Sequence, residues 1–193
     1  MIQTEGIFVG GSAISAPIIG EDFNWSGGDG TYQVLDDGGG NWRIKFLSSG
    51  TFTPLKNMVI DVFLVGGGGG AGSSYCGAGG AGYTTTVRSV VVAANTAYPI
   101  VVGAAGTQTY TVQSDGGTSS AFSAVANGGH HSVSGDKTWK KTGANGGSGG
   151  GGQYADGGTD GSDGATGDTA GGKGQGTTTR EFGEADGDLY ASG

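Results

Sequence analysis

Proline, cysteine and histidine are nearly missing from this 193-residue chain, which has three prolines, one cysteine and two histidines. The lone cysteine, Cys76, closes no disulfide within the chain and has no second thiolate to share a metal with, which fits synthesis in a reducing cytosol. Charge is scarce as well, at 13% of residues against roughly a quarter in ordinary domains. What charge there is leans acidic, 17 carboxylates to 9 cations and a net −8. That balance repels a phosphate backbone and excludes nucleic acid as a partner. No long hydrophobic run exists: Met58 to Val65 is the most apolar stretch, and Asp61 interrupts it. A membrane-spanning helix needs about 20 apolar residues, so no span is expected. The opening Met1-Ile2-Gln3-Thr4-Glu5 lacks the basic start of a signal peptide, so no export signal is visible.

What the chain has instead is glycine, 47 residues, about a quarter where roughly 7% is usual. With only 34% apolar residues, an ordinary two-layer enzyme is not expected. The glycine is concentrated. Residues 1–141 hold every valine, isoleucine, proline and tryptophan, enough for a conventional core. Residues 142–193 hold 19 glycines and four large apolar side chains, Tyr154, Phe182, Leu189 and Tyr190, too few to bury one. We therefore divide the chain into an N-terminal β region over 1–57, a β-sandwich over 58–141 with a glycine-rich excursion at 66–82, and a period-three region over 142–193.

The fold class expected is all-β, an antiparallel sandwich. Trp42, Ile44 and Phe46 alternate with Arg43 and Lys45, the period-two mark of a half-buried strand. Residues 31–35 form a second such run, joined to the first by Asp36-Asp37-Gly38-Gly39-Gly40, a hairpin loop. Thr51-Phe52-Thr53, stopped by Pro54, and the β-branched run 58–65 follow. Further strands are predicted at 83–92, 98–102, 109–113 and 120–125, with no helical period of useful length. Short strands between glycine or polar turns suit a sandwich. The excursion 66–82 leaves after Val65 and returns at Tyr83, and so projects from one end.

The glycine repeats with a period of three. From Gly143 every third residue is Gly143, Gly146, Gly149, Gly152, Ala155, Gly158, Gly161, Gly164, Gly167 and Ala170. Gly67, Gly70, Ser73, Cys76, Gly79 and Gly82 show the same habit. A polyproline II helix has three residues per turn, so one face would be bare. Bare faces let backbones lie close, and their N–H and C=O groups can bond sideways between helices. Such a core consists of peptide groups. Collagen needs the same period but draws stiffness from proline, absent after Pro99. Disorder is the competing reading, since low hydrophobicity and net charge are its marks.

Few motifs point to chemistry. Gly67-x-Gly69-x-x-Gly72 matches the dinucleotide fingerprint, but the following Ser73-Ser74-Tyr75-Cys76 leads to more glycine and a strand, with no helix to receive a pyrophosphate. Asp156, Asp160, Asp163 and Asp168 lack the large apolar residue of a calcium β-roll repeat. No cofactor, metal or catalytic group is nominated, because sequence spacing picks out no carboxylate pair for glycan cleavage. Candidate surface contacts are Tyr154, Trp139, Lys140, Lys141, His130 and His131, aromatics and cations of the kind that grip sugars and surface polymers. The adjacent histidines would point to opposite sides of an extended chain, and a polar loop is the plainer reading of both. Trp139 and Tyr154 could equally pack against the end of the sandwich.

One series of motifs resembles a known family. Asn41-Trp42-Arg43-Ile44-Lys45-Phe46-Leu47-Ser48-Ser49-Gly50-Thr51-Phe52-Thr53-Pro54, then Val62-Phe63-Leu64-Val65 with five glycines, Gly79-Gly80-Ala81-Gly82-Tyr83-Thr84, Tyr98-Pro99-Ile100-Val101-Val102-Gly103 and Gly117-Thr118-Ser119-Ser120-Ala121-Phe122 run in order. Together they resemble the glycine-rich domain proteins of bacteriophage and prophage tails, over about Thr31 to Gly193. The resemblance implies a non-enzymatic virion protein of a tail tip or fibre, made in the host cytoplasm. It implies packed polyproline II segments and distal loops that bind the host surface. The expected partners are other virion tail proteins and a bacterial cell-surface receptor, glycan or protein, in a homo-oligomer, a trimer being one candidate. Proteins of this pattern usually close with a β-branched strand ending in a basic residue, whereas this sequence stops at Tyr190-Ala191-Ser192-Gly193. The alternative is a secreted or surface-displayed bacterial adhesion or matrix protein, against which the missing export signal counts.

Overall fold

Alternation along the chain builds two five-stranded sheets whose apolar faces meet. The computed structural model describes residues 7–12, 16–72, 76–109, 112–132, 143–150, 180–184, 188 and 190. Ten strands occur among them: β1 Ile7–Ser12, β2 Phe23–Trp25, β3 Tyr32–Gly38, β4 Asn41–Phe46, β5 Gly50–Pro54, β6 Met58–Val65, β7 Thr84–Val92, β8 Tyr98–Val101, β9 Ser119–Ala121 and β10 Ala124–Ala126. The first sheet, sheet A, runs β3-β4-β1-β6-β7 and the second, sheet B, runs β10-β9-β8-β5-β2. Every strand pairing is antiparallel. The fold is thus the expected all-β sandwich. Sheet A contributes Ile7, Val9, Trp42, Ile44, Phe46, Ile60, Val62 and Leu64 to one buried cluster, and sheet B contributes Phe23, Phe52 and Ile100. Phe52 is fully buried, with ring centroids 5.6 Å from Phe23 and 5.8 Å from Phe46.

Three strand expectations need correction. Strand β1, which the sequence reading passes over along with the short β2, is central in sheet A between β4 and β6. Its Gly10 and Gly11 look like punctuation, yet they sit within the pairing: a Cβ on Gly11 would press on the Trp42 ring at 2.8 Å, and one on Gly10 would only touch Phe182 at 3.4 Å. The predicted strand 120–125 is two strands, because Phe122 and Ser123 both take positive φ, 48° and 66°, and turn the chain through a two-residue hairpin. Of the predicted strand 109–113, the described residues 109, 112 and 113 form no strand, and only an isolated bridge joins Gln108 to Gln113. There the Thr109 hydroxyl accepts from the Val112 N–H at 2.9 Å, a local bond that competes with a ladder.

Past one end of the sandwich, five strands continue as extended glycine-rich segments. Strand β6 runs into 66–72, β8 into 102–107 and β10 into 127–132, while 76–83 and 114–118 feed β7 and β9. Residues 143–150 add a sixth segment. Segment 66–72 bonds to four others: Gly69 N–H donates to Gly80 at 2.8 Å, Gly67 N–H to Gly117 at 2.9 Å, and its Gly68 and Gly67 carbonyls accept from Gly106 and Gly129. The sixth segment joins through Ala81 N–H to Ser148 and His130 N–H to Asn145, both 2.9 Å. Buried Ser119 ties this bundle to the sandwich, its hydroxyl donating to the Val65 carbonyl at 2.6 Å and accepting from Gly103 N–H at 2.9 Å.

Close approach explains the glycine. A Cβ on Gly66 would fall on the Asn127 carbonyl, one on Gly82 on that of Gly66, and one on Gly128 on that of Gly116, all under 3.0 Å. None of these three takes a positive φ. The turn glycine Gly39 differs, with a φ of 62° and nothing near its Cβ position. Segment 66–72 of the excursion is therefore the middle of a bundle of backbones. In its inner segment two of every three rows are closed, Gly66 with Gly69 and Gly67 with Gly70, while a Cβ on Gly68 would meet nothing closer than 3.9 Å. In the peripheral segment only the Gly103 and Gly106 row is closed, and Ala104 and Ala105 are exposed.

Candidate functional site

A backbone core leaves side chains only on open rows and at loop tips, so surface chemistry is confined to those places. Asp115 is the second residue of segment 114–118, and His130 and His131 lie near the end of 127–132. The three meet at the bundle surface. Asp115 Oδ2 lies 3.1 Å from His130 Nδ1, and Oδ1 lies 2.5 Å from His131 Nδ1. The His131 backbone N–H donates to the same Oδ1 at 2.9 Å. The expectation that the two rings point to opposite sides fails here, because with three residues per turn successive side chains diverge by only about 120°. The His131 N–H and ring, and then His130, hold the Asp115 carboxyl down at about 2. All three side chains are partly exposed, so the cluster is a fixed, polar, solvent-facing feature.

Of the period-three face, Gly143, Gly146 and Gly149 are buried in the sixth segment, and a Cβ on Gly146 would fall on the Ala81 carbonyl. Gly152, Gly158, Gly161, Gly164 and Gly167 lie outside the described residues, as do Trp139, Lys140, Lys141 and Tyr154.

Sequence reasoning missed a second constellation, on the outer face of sheet A. Phe63 and Val65 face outward on β6, and Phe182 and Tyr190 cover them, with ring centroids 5.9 and 5.6 Å from Phe63. Arg43 fastens this cover. Its guanidinium donates to both Asp37 oxygens at 2.6 and 2.7 Å, and Nη1 stands 2.6 Å from Glu181 Oε2, off the hydrogen-bonding line. Arg88 donates to the Phe182 carbonyl at 2.6 Å and pairs with Asp61 at 2.7 Å. Burial pushes the Glu181 carboxyl above its ordinary range despite Arg43, and burial likewise raises the Tyr190 phenol. The available signal was the set of large apolar residues in 180–190, where nothing else calls for them.

Among the described residues, no group of three or more His, Cys, Asp or Glu side chains is placed to hold a metal ion. Nor is any helix there long and apolar enough to cross a membrane. A family model described as a glycine-rich domain matches residues 47–193, a span that takes in β5 to β10 and all six bundle segments. No curated protein and no solved structure matches the chain.

Proposed function

On the premise that this chain belongs to the glycine-rich domain family, we propose that it is a non-enzymatic structural protein of a bacteriophage or prophage tail, at the fibre or tip, that helps attach the particle to its host. The observation that carries this reading is the bundle itself. Six segments joined by peptide hydrogen bonds make a stiff projection whose outward rows and tips can vary without disturbing its core. A protein that must meet changing bacterial surfaces needs that separation of scaffold from contact residues. The assigned contacts are the His130, His131 and Asp115 cluster together with Trp139, Lys140, Lys141 and Tyr154. The partners are other tail proteins and a surface glycan or protein, in a homo-oligomer carried on the virion.

Immunogold electron microscopy tests the location. Antibody to this chain should label tails of particles released by the bacterium whose genome encodes it, and label confined to cell envelopes would replace this reading with the surface-adhesion one. Purified protein should bind host cells without releasing reducing sugar ends. Release of such ends would make it a depolymerase.

A further inference from the structure

The outer face of sheet A carries a groove of about 710 Å³ beside Glu181, Phe182, Glu184 and Asp188. Among its described lining residues Asp37, Asp61, Glu181, Glu184 and Asp188 stand against one cation, Arg43. Arg43 is already held by Asp37 and Glu181, and Asp61 by Arg88. Lys45, the other cation on the β4 outer face, lies over the Tyr190 ring. Glu184 and Asp188 are exposed, and among the described residues neither has an ion-pair partner. Glu181, its side chain only 3% exposed, brings a second mark of an incomplete site, since among the described residues Oε1 has no hydrogen-bond donor. Val59 also lines the groove and pairs in register with Val91, and the two are 58% and 75% exposed.

We propose that this groove docks a basic segment of a protein partner, a lysine or arginine seated against Glu184 and Asp188 with its apolar neighbours on the Val59–Val91 pair. Long cationic side chains lay their stems on apolar surface and keep the charge at the rim, which suits a groove of this mixed lining. A small organic cation would answer the carboxylates and leave the valines in water. Charge complementarity with a chain of net −8 also speeds encounter with a basic segment. The inference is independent of the attachment role, since the groove lies on the sandwich and not on the bundle.

Fluorescence anisotropy of the full chain with a fluorescein-labelled peptide of alternating arginine and valine provides the test, with a glutamate–valine peptide as control. The arginine peptide should bind and the glutamate peptide should not. Glu184→Gln with Asp188→Asn should weaken binding about tenfold, and Val59→Ser about threefold. Glu21→Gln with Asp29→Asn, which removes equal charge outside the groove, should leave it unchanged. Equal weakening by both double variants would reduce the effect to net charge and overturn the proposal. Displacement of the peptide by spermidine at matched charge would overturn it in favour of a small-cation site.

Discussion

The sandwich and the bundle are held together by opposite means. In the sandwich, side chains such as Phe23, Phe46, Phe52 and Ile44 fill the interior, and backbones stay apart by the width of those side chains. In the bundle the interior is peptide groups, and any side chain on a closed row would push neighbours apart. One core tolerates an exchange of one apolar side chain for another, because volume is what it conserves. The other tolerates no side chain in its closed rows and is indifferent to those in its open rows. The glycine in the bundle is thus a packing residue, which separates it from Gly39, a conformational one.

The sharpest break in this comparison should come from Gly128→Val. Its Cβ would overlap the Gly116 carbonyl, so the bundle must open, a loss above about 4 kcal/mol. Because the damage lies outside the sandwich, near-ultraviolet signals of Trp25 and Trp42 should survive while the bundle becomes protease-sensitive. Phe52→Ala should cost about 3–5 kcal/mol through the cavity it leaves, and a thermal melt should show it. Acid gives a smaller effect. The Asp115 carboxyl, at about 2 in the folded chain against an ordinary 3.8, contributes stability that is present above pH 3.8 and lost as pH falls toward 2. Its exposure screens that contribution, so Asp115→Asn should shift the melting temperature little at neutral pH and flatten the acid limb. Smallest of all, Ala105→Val on an open row should change stability by less than about 0.5 kcal/mol.

Much of this was legible beforehand. Alternation located β4 to within a residue, because a strand with one buried face must alternate, and β-branched content located β6. The period of three announced backbone packing, though it implied one bare face, whereas the inner segment closes two. The number of closed rows depends on how many neighbours a segment has, and one sequence does not display its neighbours. Strand β1 was hidden for a related reason, since Gly11 makes room for the Trp42 ring, a partner far along the chain. His130 and His131 were singled out, but their meeting at Asp115 follows from which segments lie side by side, which spacing does not record.

The central claim is that backbone hydrogen bonds between glycine-rich segments form a true core. Residue-resolved amide hydrogen exchange by nuclear magnetic resonance tests it most directly, at Gly67, Gly69, Gly80 and Gly129, whose N–H groups donate across the bundle at 2.8 to 2.9 Å. Protection at these four comparable to that of Val62 and Leu64 in β6 is the result predicted. Exchange at the rate of an unstructured chain, with β6 still protected, would contradict it.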